Sequence, residues 1–558
     1  MPQIKVLPSD LRNKIAAGEV IERPASVVKE LIENSIDAGS TNIRIDVLHG
    51  GKRLIRVSDN GCGMDRDDAL LCFERHATSK LAKEEDLFDI RTLGFRGEAL
   101  PAISSVSKVK LITGLKSSVS GISVEMVGGE LKEVKDSPSS GTSVEIRDLF
   151  FNTPARKKFL KATNTEFLHI IDTVTKEAIS HPGIGFTLSD GGHEAMILPK
   201  ASAMRERLLQ IYGEEFLKGL TEINSGTEDL AITAFVSKGD NFRNSKAHQF
   251  VFVNSRPIKD TSLSHAVYRA YEGILPADKH PVFFLFVRIG PEKVDFNVHP
   301  AKREVRFEDK ETVYSFVNRH VRETVKKEKT EYAGPFTEPA ETGNVGAPPV
   351  PRTSVYIEPR GSFVSENAEL VYNPSLPFIY LGDTFIAVSG KGGLTLIDHH
   401  AAHERILYEK FLRTAGIEGR HLLFPEQVRL SHREYRVILE QKDLLSEFGV
   451  EIDDFGHDTL VIRSFPVVLG DSDKRGILCD IASALIEGIP AGKSLKESLA
   501  AKIACHSSVR GRTILNQEEL SRLLTDLDKT EHPDQCPHGR PTRIFYSLDD
   551  LKKLFKRK

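Results

Sequence analysis

The sequence predicts a multidomain α+β protein, and three observations carry that expectation. The chain has 558 residues, which at about 150 residues per domain leaves room for three or four domains. Helix-like stretches and hairpin-like strands are mixed on both sides of the middle. Between Pro335 and Pro374 there are seven prolines with scattered Gly, Ser, Thr and Glu, and no helical or strand period survives. Such a stretch buries too little apolar surface to offset its ordering entropy and reads as an extended linker at 331–375.

The elements divide accordingly. Residues 1–205 form a first domain. Pro24 opens a helix over 25–38 and Gly39 closes it, proline suiting the first turn and glycine the end. Val27, Val28, Leu31, Ile32 and Ile36 make its apolar stripe. Ile43, Ile45 and Val47 alternate with polar residues, Gly50-Gly51 turns the chain, and Leu54, Ile55 and Val57 bring it back. Residues 206–330 form a second, β-rich domain around Gln249–Val253 and Val282–Arg288, with a helix at 311–328. Past the linker, 376–558 form a C-terminal domain, with strands at Phe378–Val388 and Leu394–Asp398 and a helix at 399–413.

Composition bounds the function. Hydrophobic residues are 40% and charged residues 28%, so each domain can bury a core. Lys plus Arg number 76 against 79 for Asp plus Glu, a formal charge of −3. This excludes a histone-like polycation and leaves room for a local basic groove. No apolar run reaches membrane-spanning length, and the first ten residues hold no signal-peptide core. The five cysteines, an odd and widely spaced set, argue for a reducing compartment. A soluble, cytoplasmic protein is expected.

A P-loop is absent, since Gly488–Ser494 is one residue short and follows a helix-like stretch. On the first helix, Glu30 and Asn34 are four apart and share a face, with Asp37 one step further. An acid and an amide so stacked suit a metal ion and a water, and suit an ordinary solvated face as well. Asp59-Asn-Gly-Cys-Gly63 follows the hairpin and offers an acceptor beside permissive glycines, or a plain turn. Gly94-Phe95-Arg96-Gly97 offers backbone N–H groups ahead of a helix-like segment, as anion sites do. Gly141-Thr142 opens a strand.

Together these motifs resemble the ATPase site of the GHKL superfamily, and most closely the MutL mismatch-repair family. The likeness also rests on Ala16–Pro24, Glu30–Gly39, Arg75–Lys80, Phe150–Phe159 and Asn297–Phe307, and covers about residues 1–330. It implies a GHKL α/β sandwich followed by a ribosomal-S5-like domain. It also implies that Glu30 is the general base for ATP hydrolysis, that Asn34 carries Mg²⁺ with Asp37 nearby, and that Asp59 binds the adenine amino group with Thr142 behind it. Gly63 lets the base sit close. Residues 75–98, including Thr78, form a lid whose Gly94, Phe95, Arg96 and Gly97 cradle phosphates, and Lys302 reaches the γ-phosphate from the second domain. In that family ATP orders the lid and closes two N-terminal halves into a clamp.

Asp398-His-His-Ala-Ala-His-Glu404 starts a helix, and His400 and Glu404 are four apart, a spacing that suits two ligands of one metal. A zincin reading fails, because Leu407 stands where a second His belongs. Cys505 and Cys536-Pro-His538-Gly-Arg-Pro541 supply softer donors. Thiolate and imidazole fit Zn²⁺; carboxylate fits Mn²⁺ or Mg²⁺. Alone, each residue also reads as an ordinary core or surface group. The pattern resembles the endonuclease-bearing MutL subset, with His399 in place of a Gln. That resemblance implies a metal site of Asp398, His400, Glu404, Glu409, Cys505, Cys536 and His538 that nicks one DNA strand, with Asp398 and Glu404 catalytic. It further implies a homodimer, a MutS-type mismatch sensor as partner, and docking on the replication sliding clamp through Arg420–Pro425, where Arg420 replaces the usual Gln.

Arg156, Lys157, Lys158 and Lys161 form a basic cluster, and five of the last seven residues are basic. No base-reading motif accompanies them, so double-stranded DNA binding is expected to be sequence-nonspecific and salt-sensitive. The alternative is an ATP-gated matchmaker whose C-terminal half only dimerises and holds structural zinc.

Overall fold

The computed structural model describes residues 18, 20–80, 83, 92–94, 97–118, 120–238, 241–276, 279–296, 305–332, 378–381, 384–390, 392–413, 419–469, 473–487, 494–508 and 515–555. The proline-rich stretch at 333–377, the motif at 297–304 and the near-P-loop glycines at 488–493 lie outside them.

The first helix, α1, spans Pro24–Asp37 with proline in its first turn and Gly39 following at φ +69°. Its stripe of Val27, Val28, Leu31 and Ile32 is buried as the spacing requires, whereas Ile36 is half-buried. A second helix, α2 (Thr163–Ser180), packs against it. Both cover one face of an eight-stranded sheet: β1 (Asn42–Leu48), β2 (Leu54–Asp59), β3 (Lys108–Gly114), β4 (Gly121–Val127), β5 (Glu130–Ser137), β6 (Gly141–Arg147), β7 (Gly185–Asp190) and β8 (His193–Leu198), in the order β5-β4-β3-β6-β2-β1-β7-β8. Ile43, Ile45 and Val47 point into the core with Ile55 and Val57, in register across the hairpin. The β1–β7 pairing is parallel and the other neighbours are antiparallel.

Helix α3 (Met204–Tyr212) leads into a five-stranded sheet of β9 (Leu220–Gly226), β10 (Leu230–Ser237), β11 (Gln249–Val253), β12 (Arg256–Ile258) and β13 (Phe283–Ile289), ordered β12-β11-β13-β10-β9. One face packs on helix α4 (Lys310–Tyr332) through Val313, Val317 and Val321. The other face continues the first core, since Phe235, Phe250, Phe252 and Phe284 cluster with Leu208, Ile211 and Tyr212. The boundary at 205/206 is therefore crossed by packed apolar side chains.

The C-terminal domain carries two small sheets. Strands β14 (Phe378–Leu381), β15 (Phe385–Gly390), β16 (Gly393–Asp398) and β20 (Arg543–Ser547) form one. Strands β17 (Gly419–Arg429), β18 (Glu451–Gly456) and β19 (Thr459–Pro466) form the other. Its longer helices are α5 (His399–Arg413), α6 (His432–Glu440), α7 (Lys474–Glu487), α8 (Leu495–Ser508) and α9 (Gln517–Asp528), and two short ones lie at Lys442–Glu447 and Leu548–Leu554. The single strand read at 378–388 is a hairpin, because β14 turns back onto β15 in the register Phe378↔Val388. The inner face of this sheet, Ile386, Val388 and Ile397, packs on Leu520 and Leu524 of α9.

The C-terminal domain rests on the N-terminal half through paired charges. Arg433 meets Asp172 of α2 at 3.1 Å, Arg436 meets Asp190 at 3.6 Å and Arg475 meets Glu215 at 3.1 Å. At the centre, His248 Nε2 lies 3.3 Å from Glu434 Oε1, both side chains buried.

Candidate functional site

At the nucleotide end of the sheet, Asp59 closes β2 with its carboxylate held on three sides. Ser35 Oγ donates to Oδ2 at 2.8 Å, Ser40 Oγ to Oδ1 at 3.0 Å, and the Gly61 amide to Oδ1 at 2.8 Å. Thr142 lies directly across from Asp59 in β6. Its hydroxyl shares a hydrogen bond of 3.0 Å with Thr113, which also accepts from the Met64 amide at 3.0 Å. Ser35, Ser40 and Thr113 escaped the motif reading. Ser35 follows Asn34 directly and was within reach, but Thr113 enters only through the β3–β6 pairing. Gly63 has φ +73°, and a Cβ there would strike the carbonyl of Gly114. Its glycine is already required by the protein's own backbone.

On α1, Glu30 and Asn34 lie one turn apart on the same side of the helix. The Asp37 carboxylate accepts from the Leu93 amide at 2.9 Å and the Gly94 amide at 2.9 Å, so it pins the segment that leads into Gly94. Between Asn34 Oδ1, at 2.9 Å, and Asp37 Oδ2, at 2.5 Å, stands the ammonium of Lys80. These two oxygens are thus arranged around a cation, and Mg²⁺ fits the donor pair. Thr78 Oγ1 accepts from the Lys80 amide at 3.2 Å and shapes that segment. Gly97 has φ +62°, and a Cβ there would strike the Ala77 carbonyl. Phe95, Arg96 and Lys302 lie outside the described residues.

The second site is assembled from distant segments. Asp398 ends β16 and caps α5, accepting from the Ala401 amide at 2.9 Å. Glu404, on the next turn, is buried, with His400 Nε2 at 3.4 Å and His538 Nδ1 at 3.5 Å. A tight turn presents Cys536 and His538: Cys536 and Arg540 are joined by a 2.8 Å backbone bond, and Gly539 sits at φ +84°. Arg405 Nε donates to the Gln535 carbonyl and fastens this turn to α5. One ligand atom from each of Glu404, Cys536 and His538 lies within 4.8 Å of the others.

Electrostatics fit a cation. Burial resists ionisation of Glu404, yet His400 and His538 hold its carboxyl well below the usual range. The Cys536 thiol is shifted down by His538 and two backbone contacts, against burial. His538 is pushed up to about 9 by Cys536 and Glu404. Cys505 of α8 behaves differently, since burial and then the Glu404 carboxylate push its thiol up to about 12. Thiolate, imidazole and carboxylate suit Zn²⁺.

Glu409 is not brought into this cluster. Five residues beyond Glu404 it points about 140° round the helix. There it pairs with Arg413 at 2.9 Å and Arg405 at 3.6 Å and accepts from the Glu531 and His532 amides. His399 is buried against the Thr384 carbonyl at 2.7 Å, an ordinary structural histidine. The Arg420–Pro425 stretch is an irregularity of β17, where pairing with β19 slips between His421 and Glu426. Leu423 and Phe424 stand 91% and 87% exposed there.

Comparison with known proteins assigns each part. Residues 21–141 match the histidine kinase-, DNA gyrase B- and HSP90-like ATPase family. Residues 208–326 match the C-terminal domain of DNA mismatch repair proteins, and 379–515 the MutL C-terminal dimerisation domain. A crystal structure of the N-terminal domain of a DNA repair protein superposes with a TM-score of 0.50 and 27% identity, over 57% of this chain and 99% of that one. The DNA mismatch repair protein MutL of Thermodesulfovibrio yellowstonii is 41% identical over 100% of both chains. That of Geobacter sulfurreducens is 38% identical over 100% of this chain and 99% of its own. The chain therefore belongs to the MutL family of DNA mismatch repair proteins, with a GHKL-type ATPase domain at its N-terminal end.

Proposed function

We propose that this chain is an ATP-gated nicking enzyme of mismatch repair, and the cluster of Glu404, Cys536 and His538 is the observation that carries the reading. Glu30 acts as general base toward the water that attacks the γ-phosphate. Asn34 and Asp37 hold Mg²⁺, Asp59 reads the adenine amino group, and the 94–97 backbone with Lys302 meets the phosphates. Phosphoryl transfer asks mainly for positioning and charge stabilisation, which this set is suited to give. ATP closes two N-terminal halves into a clamp around DNA.

At the C-terminal site Glu404, Cys536, His538 and His400 hold the metal, with Cys505 and Asp398 beside them. A divalent ion there supplies charge stabilisation on the scissile phosphate and a lowered pKa for water. Arg156, Lys157, Lys158 and Lys161 contact DNA backbone without reading sequence, and a MutS-type sensor finds the mismatch. The exposed Leu423 and Phe424 dock on the sliding clamp. The homodimer forms on the outer face of the β14–β15–β16–β20 sheet, where Ile379, Leu381, Phe385 and Ile544 share one exposed apolar surface.

The test is nicking of supercoiled plasmid by the full chain with Mn²⁺, beside Glu404→Ala and Asp398→Asn. Nicking by the parent and none by the variants is expected. Equal inertness across a range of Mn²⁺ and ATP, with ATP still hydrolysed, would move the C-terminal domain to the second reading, a dimerising matchmaker with structural zinc. The engagement of Asp398 as a cap and of Glu409 with arginines favours that alternative, because both withdraw carboxylate from the metal.

A further inference from the structure

Behind the nucleotide site lies a buried group of charges that none of the ATP-binding motifs accounts for. Lys29 precedes Glu30 on α1. Its ammonium lies 2.5 Å from Glu33 Oε1 and 3.9 Å from Glu30 Oε1. Its side chain is 16% exposed, that of Glu33 5% and that of Glu177, which approaches from α2, 1%. The second domain contributes the other cation. Arg256 of β12 is buried against α2, lies 4.6 Å above the ring of Phe296, and donates through Nη2 to the Thr92 carbonyl.

Arg256 therefore touches two segments that flank the site. Thr92 and Leu93 lead into the phosphate loop pinned by Asp37, with Thr92 Oγ1 bonded to the Gly94 carbonyl at 2.8 Å. Phe296 is the last described residue before the segment that holds Lys302.

A helix-borne glutamate has several rotamers, and only one presents its carboxylate to a water at the γ-phosphate. With Glu33 three residues away, Glu30 also meets a like charge on its own helix. Left uncompensated, that repulsion would push the Glu30 carboxylate off the rotamer that serves the water. Lys29 lies between the two and removes the conflict. Burial disfavours the charge on such a lysine, but Glu33 and Glu30 outweigh it.

We propose that Lys29 and Arg256 are positioning residues for ATP hydrolysis: Lys29 orients Glu30, and Arg256 ties that arrangement to the second domain and the phosphate loop. Neither touches the nucleotide through any contact described above, so their loss lowers turnover and leaves ATP affinity nearly intact. The proposal rests on Glu30 being the base.

The experiment is steady-state ATP hydrolysis by the full chain for Lys29→Met, Lys29→Arg, Arg256→Ala, Arg256→Lys and Glu30→Ala. ADP binding and a thermal melt accompany each variant. Lys29→Met and Arg256→Ala are expected to lose about tenfold or more in kcat, with KM for ATP within about threefold of the parent. Lys29→Arg and Arg256→Lys recover most of the loss, which a void or misfold would not allow. The proposal is overturned by parental kcat in both truncations, or by kcat and KM failing together with no recovery in the charge-preserving variants. If Glu30→Ala hydrolyses normally, the assignment of the base has failed instead. If Glu30→Ala is inert while Lys29→Met is normal, only the positioning role is lost. Should a truncation fail to bind ADP, the charge-preserving variants decide: parental KM with parental or mildly reduced kcat supports the proposal, and a raised KM overturns it.

Discussion

The nucleotide site and the C-terminal cluster are built by different means. Glu30, Asn34 and Asp37 share one 14-residue helix, and Asp59 lies on the hairpin just beyond it. Secondary structure alone brings most of that site together. Glu404 and the pair Cys536 and His538 are separated by over a hundred residues, and tertiary ties place them. Those ties are Arg405 to the Gln535 carbonyl and the backbone bond from Asp398 to Thr542 at 2.9 Å. The first site should therefore fail by loss of chemistry, and the second by loss of placement.

The largest effect tests the first half of that contrast. Glu30→Ala is expected to lower ATP hydrolysis by about 10²-fold or more while nucleotide still binds, as for removal of a general base. Equilibrium binding of a fluorescent ATP analogue beside phosphate release checks it. A parallel collapse of binding would mean that Glu30 holds the helix and not the water.

Next in size is Arg405→Ala, whose partners are Glu409 and the Gln535 carbonyl, outside the cluster of Glu404, Cys536 and His538. Releasing the 535–541 turn should weaken Zn²⁺ binding by about 10–100-fold, the usual cost of losing support behind a metal ligand. ATP hydrolysis should persist. Competition with a chromophoric chelator reads the first, and unchanged affinity would show that the turn is positioned without α5.

The metal site should also depend on pH with a definite sign. His538 binds metal only when neutral, and Cys536 and Glu404 push it up to about 9. Protons therefore compete with Zn²⁺ throughout the neutral range. Apparent affinity should rise roughly tenfold per pH unit up to that value and level off above it, with one proton released per ion bound at pH 7. Calorimetry in buffers of different ionisation enthalpy measures that proton. In His538→Ala the Cys536 thiol loses the partner that holds it down, so the competing proton should come from Cys536 instead.

The same contrast explains what the sequence made legible. Pro24, Gly39 and the apolar spacing between them located α1 to within a residue, because caps and periodicity are local. The hairpin around Gly50-Gly51 was equally readable. Thr113 behind Asp59 was not, since β3 reaches β6 only through sheet order, which no local pattern encodes. Lys80 between Asn34 and Asp37 was likewise hidden, because a loop lysine carries no periodic signal. In the C-terminal domain the donor types were visible and their grouping was not. Glu409 looked like a ligand by sequence, yet its place five residues past Glu404 turns it to the arginines. The hairpin of β14 and β15 was missed because Phe378–Leu381 and Phe385–Val388 are both apolar runs.

Two buried carboxyls, one in each half, offer the finest comparison. Glu177 and Glu434 start from the same ordinary value of 4.5. Burial, with Glu33 nearby, pushes Glu177 up to about 8 despite Lys29. Glu434 is as deeply buried, but His248 and the Ser431 cap pull it down to about 2. The signs of linkage are therefore opposite. For Glu177 the unfolded chain gives up its proton first, so stability drains away as pH rises from about 4.5 through about 8 and is constant above. For Glu434 stability is fully present above about 4.5 and is lost as pH falls toward about 2. Glu177→Gln should thus gain on the parent across the first window. Glu434→Gln should lose at neutral pH, with the loss shrinking on acidification. Each difference should be about 1–3 kcal/mol, a few degrees in a thermal melt. If both variants shift with pH in the same direction, burial governs these carboxyls and their partners do not. The His248–Glu434 contact would then contribute nothing to holding the C-terminal domain on the N-terminal half.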